Sequence, residues 1–253
     1  MTLRLYRYLQ GFVMILLSIF LLQKILTGKL DWYIHQRFMP LTVLAVIVLM
    51  LIGMVVFRTA HNTEQNESHD HTHDEHEHQD HDHKVSGWGL LIASIPLAIG
   101  VLVPAQPLTS SAMSGKGVSS APPIAASNSK TISFDQAADD RNILDWIRLF
   151  SSPDTAGSYL GQTANVIGFV YHDPRLKGGQ FLVSRFAIVC CTADAFAIGM
   201  VVDWPKSASL PDDQWVKVKG TVQSTQLDTQ TLPLIQASSI ETVQVPDQPY
   251  LFP

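Results

Sequence analysis

The stretch FLVSRFAIVCCTADAFAIGMVV, from Phe181 to Val202, decides how the C-terminal half of this chain folds. Phe181, Leu182 and Val183 on one side, and Ile198, Met200, Val201 and Val202 on the other, read as two buried strands. The first is expected over Gln180 to Cys190. Thr192-Ala193-Asp194 then turns the chain into the second, over Phe196 to Asp203. Between them stand Cys190 and Cys191, the protein's two cysteines. Neighbours in a strand point to opposite faces. One sulfur should therefore face the core and the other should face out or into a cleft, unless the chain turns there. Three readings stay open for the pair: two buried thiols that only pack, a metal or redox site, or a vicinal disulfide with a strained ring.

Outward from this stretch the pattern is that of a small β domain over residues 131–253. Ser133 can cap a helix from about Phe134 to Phe150, with Ile143, Leu144, Ile147 and Phe150 on one face. Ala164 to Tyr171 reads as a strand in which Gly168 marks a bulge or a point of close packing. Gln214 to Val222 alternates, with Trp215, Lys217, Lys219 and Thr221 on one face and Val216, Val218 and Val222 on the other. A last strand is expected from about Leu232 to Gln236, extending towards Val243. Five short strands with glycine at bends fit an OB-like small barrel with a leading helix.

OB barrels often bind oligonucleotides, but this chain carries a formal charge of −5 and lacks exposed aromatics interleaved with Arg or Lys. No nucleic-acid partner is expected. His172 and Asp173, beside Pro174, are candidate ligands or catalytic groups, although a histidine in a turn is usually a surface residue. No Ser-His-Asp spacing, phosphate loop or HExxH motif is present, so no catalytic residues are assigned and the chain is read as a non-enzyme.

The first 104 residues differ in kind. Apolar runs cover Tyr8–Leu26, Pro40–Phe57 and Trp88–Val103. A helix needs roughly 17 to 25 apolar residues to cross a bilayer. The first two qualify, and the third, shorter and interrupted by Pro96, is read as a third span. Trp32, Tyr33 and Trp88 sit where aromatic belts are expected. The fold class is thus an α-helical membrane region of three spans plus a mainly β C-terminal domain, in the plasma or inner membrane. Arg4, Arg7, Arg58 and Lys84 on one side balance Lys24, Lys29, Arg37 and Lys116 on the other, so the positive-inside rule does not orient the chain. The favoured orientation keeps the N-terminus inside and the C-terminal domain extracytoplasmic.

Between the second and third runs lies a loop, residues 58–87, containing SHDHTHDEHEHQDHDHK. His69, His71, His73, His76, His78, His81 and His83 alternate with carboxylates, a composition that suits zinc or another divalent transition metal. The spacing is irregular, so no defined structural zinc site is expected. Residues 105–130, rich in Ser, Pro and Ala, read as a flexible linker.

GQTANVIGFVYHD (161–173), RFAIVCCTADA (185–195), WVKVKGTV (215–222) and IPLAIGVLVPAQPL (95–108) together resemble the YcgQ-like family of bacterial membrane proteins. That family is described as the partner subunit of a predicted two-component permease. The resemblance implies helical spans, a β-rich C-terminal domain and a multi-pass membrane permease as partner. By its motif, Arg185, Cys190, Cys191, Ala193 and Asp194 are the shared positions. The expected function is a membrane-anchored accessory subunit of a permease that handles a metal or metalloid ion, held by Cys190 or Cys191 with Asp194. The alternatives are a stand-alone membrane-tethered metal buffer or sensor, and a thiol redox protein.

Overall fold

The computed structural model describes residues 3–66, 88–116, 137–151, 157–227 and 230–253. The chain forms two compact units, one of Met1–Leu30 with Gln36–Ala105 and the other of Asp31–His35 with Gln106–Pro253.

The first unit is helical. Helix α1 spans Leu3–Leu26 and α2 spans Met39–Asn66. Small residues let their backbones approach, as in many membrane helix pairs. A β-carbon at Gly53 would lie 2.9 Å from Ile15 Cγ1 and 3.2 Å from the Gly11 carbonyl oxygen. The buried Ser18 hydroxyl donates to the Val46 carbonyl at 3.0 Å, and Tyr8 meets Phe57 edge-on at 5.2 Å. Helix α3, Trp88–Leu102, packs on α1 where Gly100 meets the ring of Phe20.

Among the described residues two helices, not three, are long and apolar enough to cross a membrane: Leu5–Leu26, with 22 residues, and Gln36–His61, with 26. The third run gives only the 15 residues of α3. At 1.5 Å per residue these reach about 22 Å, against about 30 Å of hydrocarbon. Pro104 sets the limit, because the residue before a proline is driven out of helical geometry.

The second unit is built on six strands: β1 Thr163–Tyr171, β2 Gln180–Ala187, β3 Phe196–Asp203, β4 Trp215–Leu227, β5 Gln230–Thr242 and β6 Tyr250–Leu251. Strand β1 pairs antiparallel with β2, and β2 with β3. Strand β3 runs parallel to β5, which pairs antiparallel with β4, and β4 returns antiparallel to β1. Strand β6 adds in parallel to β2. The alternation expected in β4 is observed from Val216 to Val222, with Val216, Val218 and Val222 buried, Lys217 half-buried and Lys219 and Thr221 exposed, but Trp215, expected on the lysine face, is buried in a cluster with Phe169 and Phe186.

Helix α5, Ile143–Ser151, covers the sheet with Ile143, Leu144, Trp146, Ile147 and Leu149 buried. It begins nine residues later than the sequence pattern suggested, because a capping box fixes its start at Asn142. The Asn142 side chain accepts from the Leu144 and Asp145 amides at 2.8 and 3.1 Å, and the Asp145 carboxylate accepts from the Asn142 amide at 3.1 Å. The stretch Ala138–Asp140 is a separate 3-10 turn, and the expected cap at Ser133 lies outside the described residues.

The start of the stretch read as linker is also structured. Helix α4, Ser110–Lys116, buries Met113 with Phe169, Phe186, Trp215 and Tyr250. Asp213 holds its first turn, accepting from the Ser110 amide at 2.5 Å and hydroxyl at 3.0 Å. Residues 117–130 and the histidines from His69 to His83 lie outside the described residues.

Gly168 is a point of close packing. A β-carbon there would lie 2.6 Å from the Ser184 carbonyl oxygen and 3.1 Å from Ile143 Cδ1. Gly168→Ala should therefore cost about 2 kcal/mol through overpacking, read as a lowered midpoint in denaturant unfolding of the detergent-solubilised chain. Unchanged stability would mean that β1, β2 and α5 are not this close.

Candidate thiol and carboxylate site

Strand β2 stops at Ala187, so the two cysteines are not strand residues. The chain leaves the sheet at Ile188, which is fully buried beside Phe186, Ala195 and Tyr250. It then passes through Val189, Cys190 and Cys191 into a 3-10 turn, Thr192–Asp194. Neither sulfur faces the core: Cys190 is exposed and Cys191 half-buried, both as free thiols. The reading of two cysteines buried for packing is thereby overturned.

Asp194 is the reason for the turn. Its Oδ1 accepts from the Val189 amide at 2.8 Å, and its Oδ2 from the Cys190 and Cys191 amides at 2.8 and 3.1 Å. The Cys190 thiol also donates to Oδ2, at 2.6 Å. Cys191 serves as N-cap and Asp194 as the third residue of a capping box. One carboxylate thus satisfies three amides that leaving the sheet would orphan.

The electrostatics follow. Burial works to raise the Asp194 pKa, but the hydrogen bonds from the Cys190 thiol and the three amides outweigh it and hold the carboxyl below its ordinary range. In return the Asp194 hydrogen bond, helped by the one to Cys191, pushes the Cys190 thiol up to about 11. Cys190 is therefore protonated at neutral pH, the opposite of what an attacking thiolate needs. That weighs against a thiol redox enzyme.

The two sulfurs are 3.8 Å apart. Two thiolates bound tetrahedrally at about 2.3 Å from one zinc ion are separated by about 3.8 Å. The ligand atoms of Cys190, Cys191 and Asp194 all lie within 4.8 Å of one another. Three protein ligands would leave a fourth position for water or a delivered group, the arrangement of an exchangeable rather than a structural site.

The other motif residues do different things. Ala193 is the exposed middle residue of the turn. Arg185 sits in β2, donating through Nε to the Pro249 carbonyl at 3.1 Å and through Nη2 to the Gln248 carbonyl, with its guanidinium 5.7 Å from the Trp215 ring centre. Burial lowers its pKa to about 10, which leaves it charged at neutral pH. His172 is engaged by Asp212, at 2.8 Å from Nδ1, and by the Ser207 carbonyl, at 3.3 Å from Nε2. Asp173 is bound by Arg175, whose hydrogen bond lowers its pKa. These contacts make His172 and Asp173 structural parts of the β1–β2 turn.

The sequence reading missed a neighbour of the loop. Tyr33, assigned there to a membrane belt, belongs with Ile34 and His35 to the β unit. Ile34 forms an antiparallel bridge with Cys191. The signal was available in Trp32-Tyr33-Ile34, a run of strand-forming types flanked by polar residues.

Asp194→Asn in a Cys191→Ser background should raise the alkylation rate of Cys190 at pH 7.5 by roughly tenfold or more, because the thiol loses the carboxylate that holds its proton. Equal rates would remove Asp194 from control of the thiol. The same substitution should destabilise the chain by about 2 kcal/mol. A depressed carboxyl contributes fully above its unfolded pKa of about 3.9 and loses that contribution as pH falls through the folded value. The stability gap between wild type and Asp194→Asn should thus be constant above about pH 5 and close below about pH 4, in denaturant unfolding across that range.

The chain is similar to known proteins along most of its length. UPF0703 protein YcgQ of Bacillus subtilis (strain 168) is 37% identical over 98 residues, covering 38% of this chain and 34% of its own length. The match thus spans about a third of that relative. A Streptococcus mutans protein is 23% identical over 264 residues, covering 90% of this chain and 92% of its own length. It is named as a two-component membrane permease complex subunit, a description its name marks as unproven. Among solved structures, a small single-stranded DNA-binding protein from Streptomyces coelicolor is 19% identical, covering 33% of this chain and 94% of its own. Its TM-score of 0.23 is too low to carry an argument. The resemblance to the YcgQ-like family holds. With the DUF1980 N-terminal domain matching residues 9–119 and the DUF1980 C-terminal domain matching residues 126–253, this chain belongs to the DUF1980 family.

Proposed function

We propose that this chain is a membrane-anchored accessory subunit of a permease, and that its Cys190–Cys191–Asp194 loop handles a soft or borderline ion such as zinc, another divalent transition metal or a metalloid. The observation that carries the ion site is the cluster itself: two free thiols 3.8 Å apart with a carboxylate within reach, on an exposed turn. Binding a divalent ion between the thiols releases two protons, the ion taking the place of the one that Cys190 shares with Asp194. The permease as partner is supported by the name of the Streptococcus mutans relative, which this chain matches nearly end to end. It is also supported by apolar helices without the intramembrane charges that would line a polar pathway.

Three finer readings belong to the same proposal. The cycle of pairings β1–β2–β3–β5–β4–β1, with β3 and β5 parallel, fits an OB-like barrel. A third crossing by α3 is supported by connectivity. The Asp31–His35 connector between α1 and α2 belongs to the unit that resumes at Gln106. If α1 and α2 cross the bilayer, the chain has to return between Asn66 and Gln106, and α3 is the apolar helix described there. Tilted neighbours, local thinning and Trp88 at its end can accommodate a short helix. With the N-terminus inside, the β unit is extracytoplasmic. The histidines from His69 to His83 are proposed as a looser store for the same ions.

Affinity capture of the tagged full chain from native membranes should recover a multi-pass permease in near-stoichiometric amount. Recovery of the chain alone under gentle detergent would favour a stand-alone metal buffer instead. In a variant lacking residues 67–83, Cys190→Ser with Cys191→Ser should abolish tight zinc binding by equilibrium dialysis. Unchanged stoichiometry would remove the cysteines from the site.

A further inference from the structure

The loop that carries the two thiols is gripped from both sides. On one side Asp194 takes the amides of Val189, Cys190 and Cys191. On the other, the connector pairs with it as a short antiparallel strand. The His35 amide donates to the Cys190 carbonyl at 2.9 Å, the Thr192 amide donates to the Tyr33 carbonyl at 2.9 Å, and Ile34 bridges Cys191. The connector is itself fastened to the domain. The Trp32 indole N–H donates to the Asp247 carbonyl at 3.3 Å, and the His35 ring packs 4.1 Å from the ring of Phe252.

This second grip matters to the ligand set. Cys190 donates its N–H to Asp194 and accepts at its C=O from His35, so the two peptide planes that flank its α-carbon are each held by one neighbour. An ion entering between the sulfurs displaces the Cys190 thiol hydrogen bond to Asp194 and draws the carboxylate towards itself. The connector's bonds involve no ligand atom and persist. They keep the two thiols at a separation that one ion can bridge, which is the preorganisation a binding site needs from its support.

We infer that the Tyr33–His35 segment is a working part of the ion-binding loop, so that ion occupancy and connector pairing are thermodynamically linked. The inference rests on the reading of Cys190, Cys191 and Asp194 as an ion site. Linkage is reciprocal: whatever factor the pairing adds to ion affinity, the ion adds to the pairing. In sequence the connector runs directly from α1 and into α2, so occupancy at the thiols bears on the segment that joins the two membrane helices.

The test uses cadmium(II) as probe on the full-length chain in detergent, read by thiolate-to-cadmium charge-transfer absorption, in which the histidine tract is silent. His35→Pro removes the amide that holds Cys190, whereas His35→Ala keeps it and removes only the ring. Cadmium affinity should fall about tenfold in His35→Pro relative to His35→Ala, in the usual range of site coupling. In the unmodified protein, hydrogen exchange at the His35 and Thr192 amides should slow on cadmium addition. That measurement does not depend on the proline variant folding. Equal affinities in the two variants, with exchange unchanged by cadmium, would overturn the link while leaving the ion site intact. A wild-type chain with no charge-transfer band, or a band that survives Cys190→Ser with Cys191→Ser, would overturn the ion site and the link together.

Discussion

A single carboxylate decides the shape of the loop between β2 and β3. The two strands pair in register from Gln180 opposite Asp203 to Ala187 opposite Phe196. Eight residues then reverse the chain; Ile188 and Thr192 donate to the backbone of Leu251 and Tyr33, and the amides of Val189, Cys190 and Cys191 turn to a side chain. A backbone amide that leaves a sheet has to find another acceptor, in water or in a nearby side chain. Asp194 takes all three, and by doing so places two thiols on one exposed turn. The chemistry of the site is thus a by-product of a backbone requirement. An acceptor was needed there, and an ionised one both satisfies the amides and holds a proton on the neighbouring sulfur.

The same requirement explains which parts of the fold were legible in sequence. Strand β1 was readable from its alternation, and β3 from a continuous apolar run, since β3 is buried on both faces. The alternation in β4 was readable because one of its faces is solvated. The end of β2 was not, because Ile188, Val189 and the cysteines continue its apolar pattern while the hydrogen bonding has already changed hands from β3 to Asp194. Periodicity records burial, not the partner of each amide. The Cys191-to-Asp194 spacing did carry a capping signal, but it was outweighed by the strand pattern around it. Strand β6 was invisible for a different reason, two residues being too few to show a period; at Trp32-Tyr33-Ile34 the strand-forming types were legible, but the partner Cys191, far away in sequence, was not.

Helix propensity misled in both directions. Ser133 suggested a helix start at about Phe134, yet Asn142 with Asp145 caps a helix that begins at Ile143. The Ser-rich stretch after Pro104 suggested a tether, yet Asp213, distant in sequence, accepts from the Ser110 amide and hydroxyl at the first turn of α4. In both cases one side-chain acceptor at the first turn outweighed the average composition of the segment.

The shared motif residues divide into two jobs. Cys190, Cys191 and Asp194 form the exposed loop, with its two thiols and the carboxylate that holds its amides. Arg185, only five residues before Cys190, acts on a different part of the chain. Its guanidinium is desolvated, and it keeps its charge by donating to the carbonyls of Gln248 and Pro249 while lying over Trp215. That holds the final segment where Tyr250 can enter the cluster under Ile188 and Ala195, the two buried residues from which the thiol loop springs. Tyr250 then reaches on to the Leu108 amide at 2.9 Å, tying in the approach to α4. Arg185 therefore supports the site from beneath. A motif that looks like one constellation in sequence is a thiol loop together with the residue that fastens its floor.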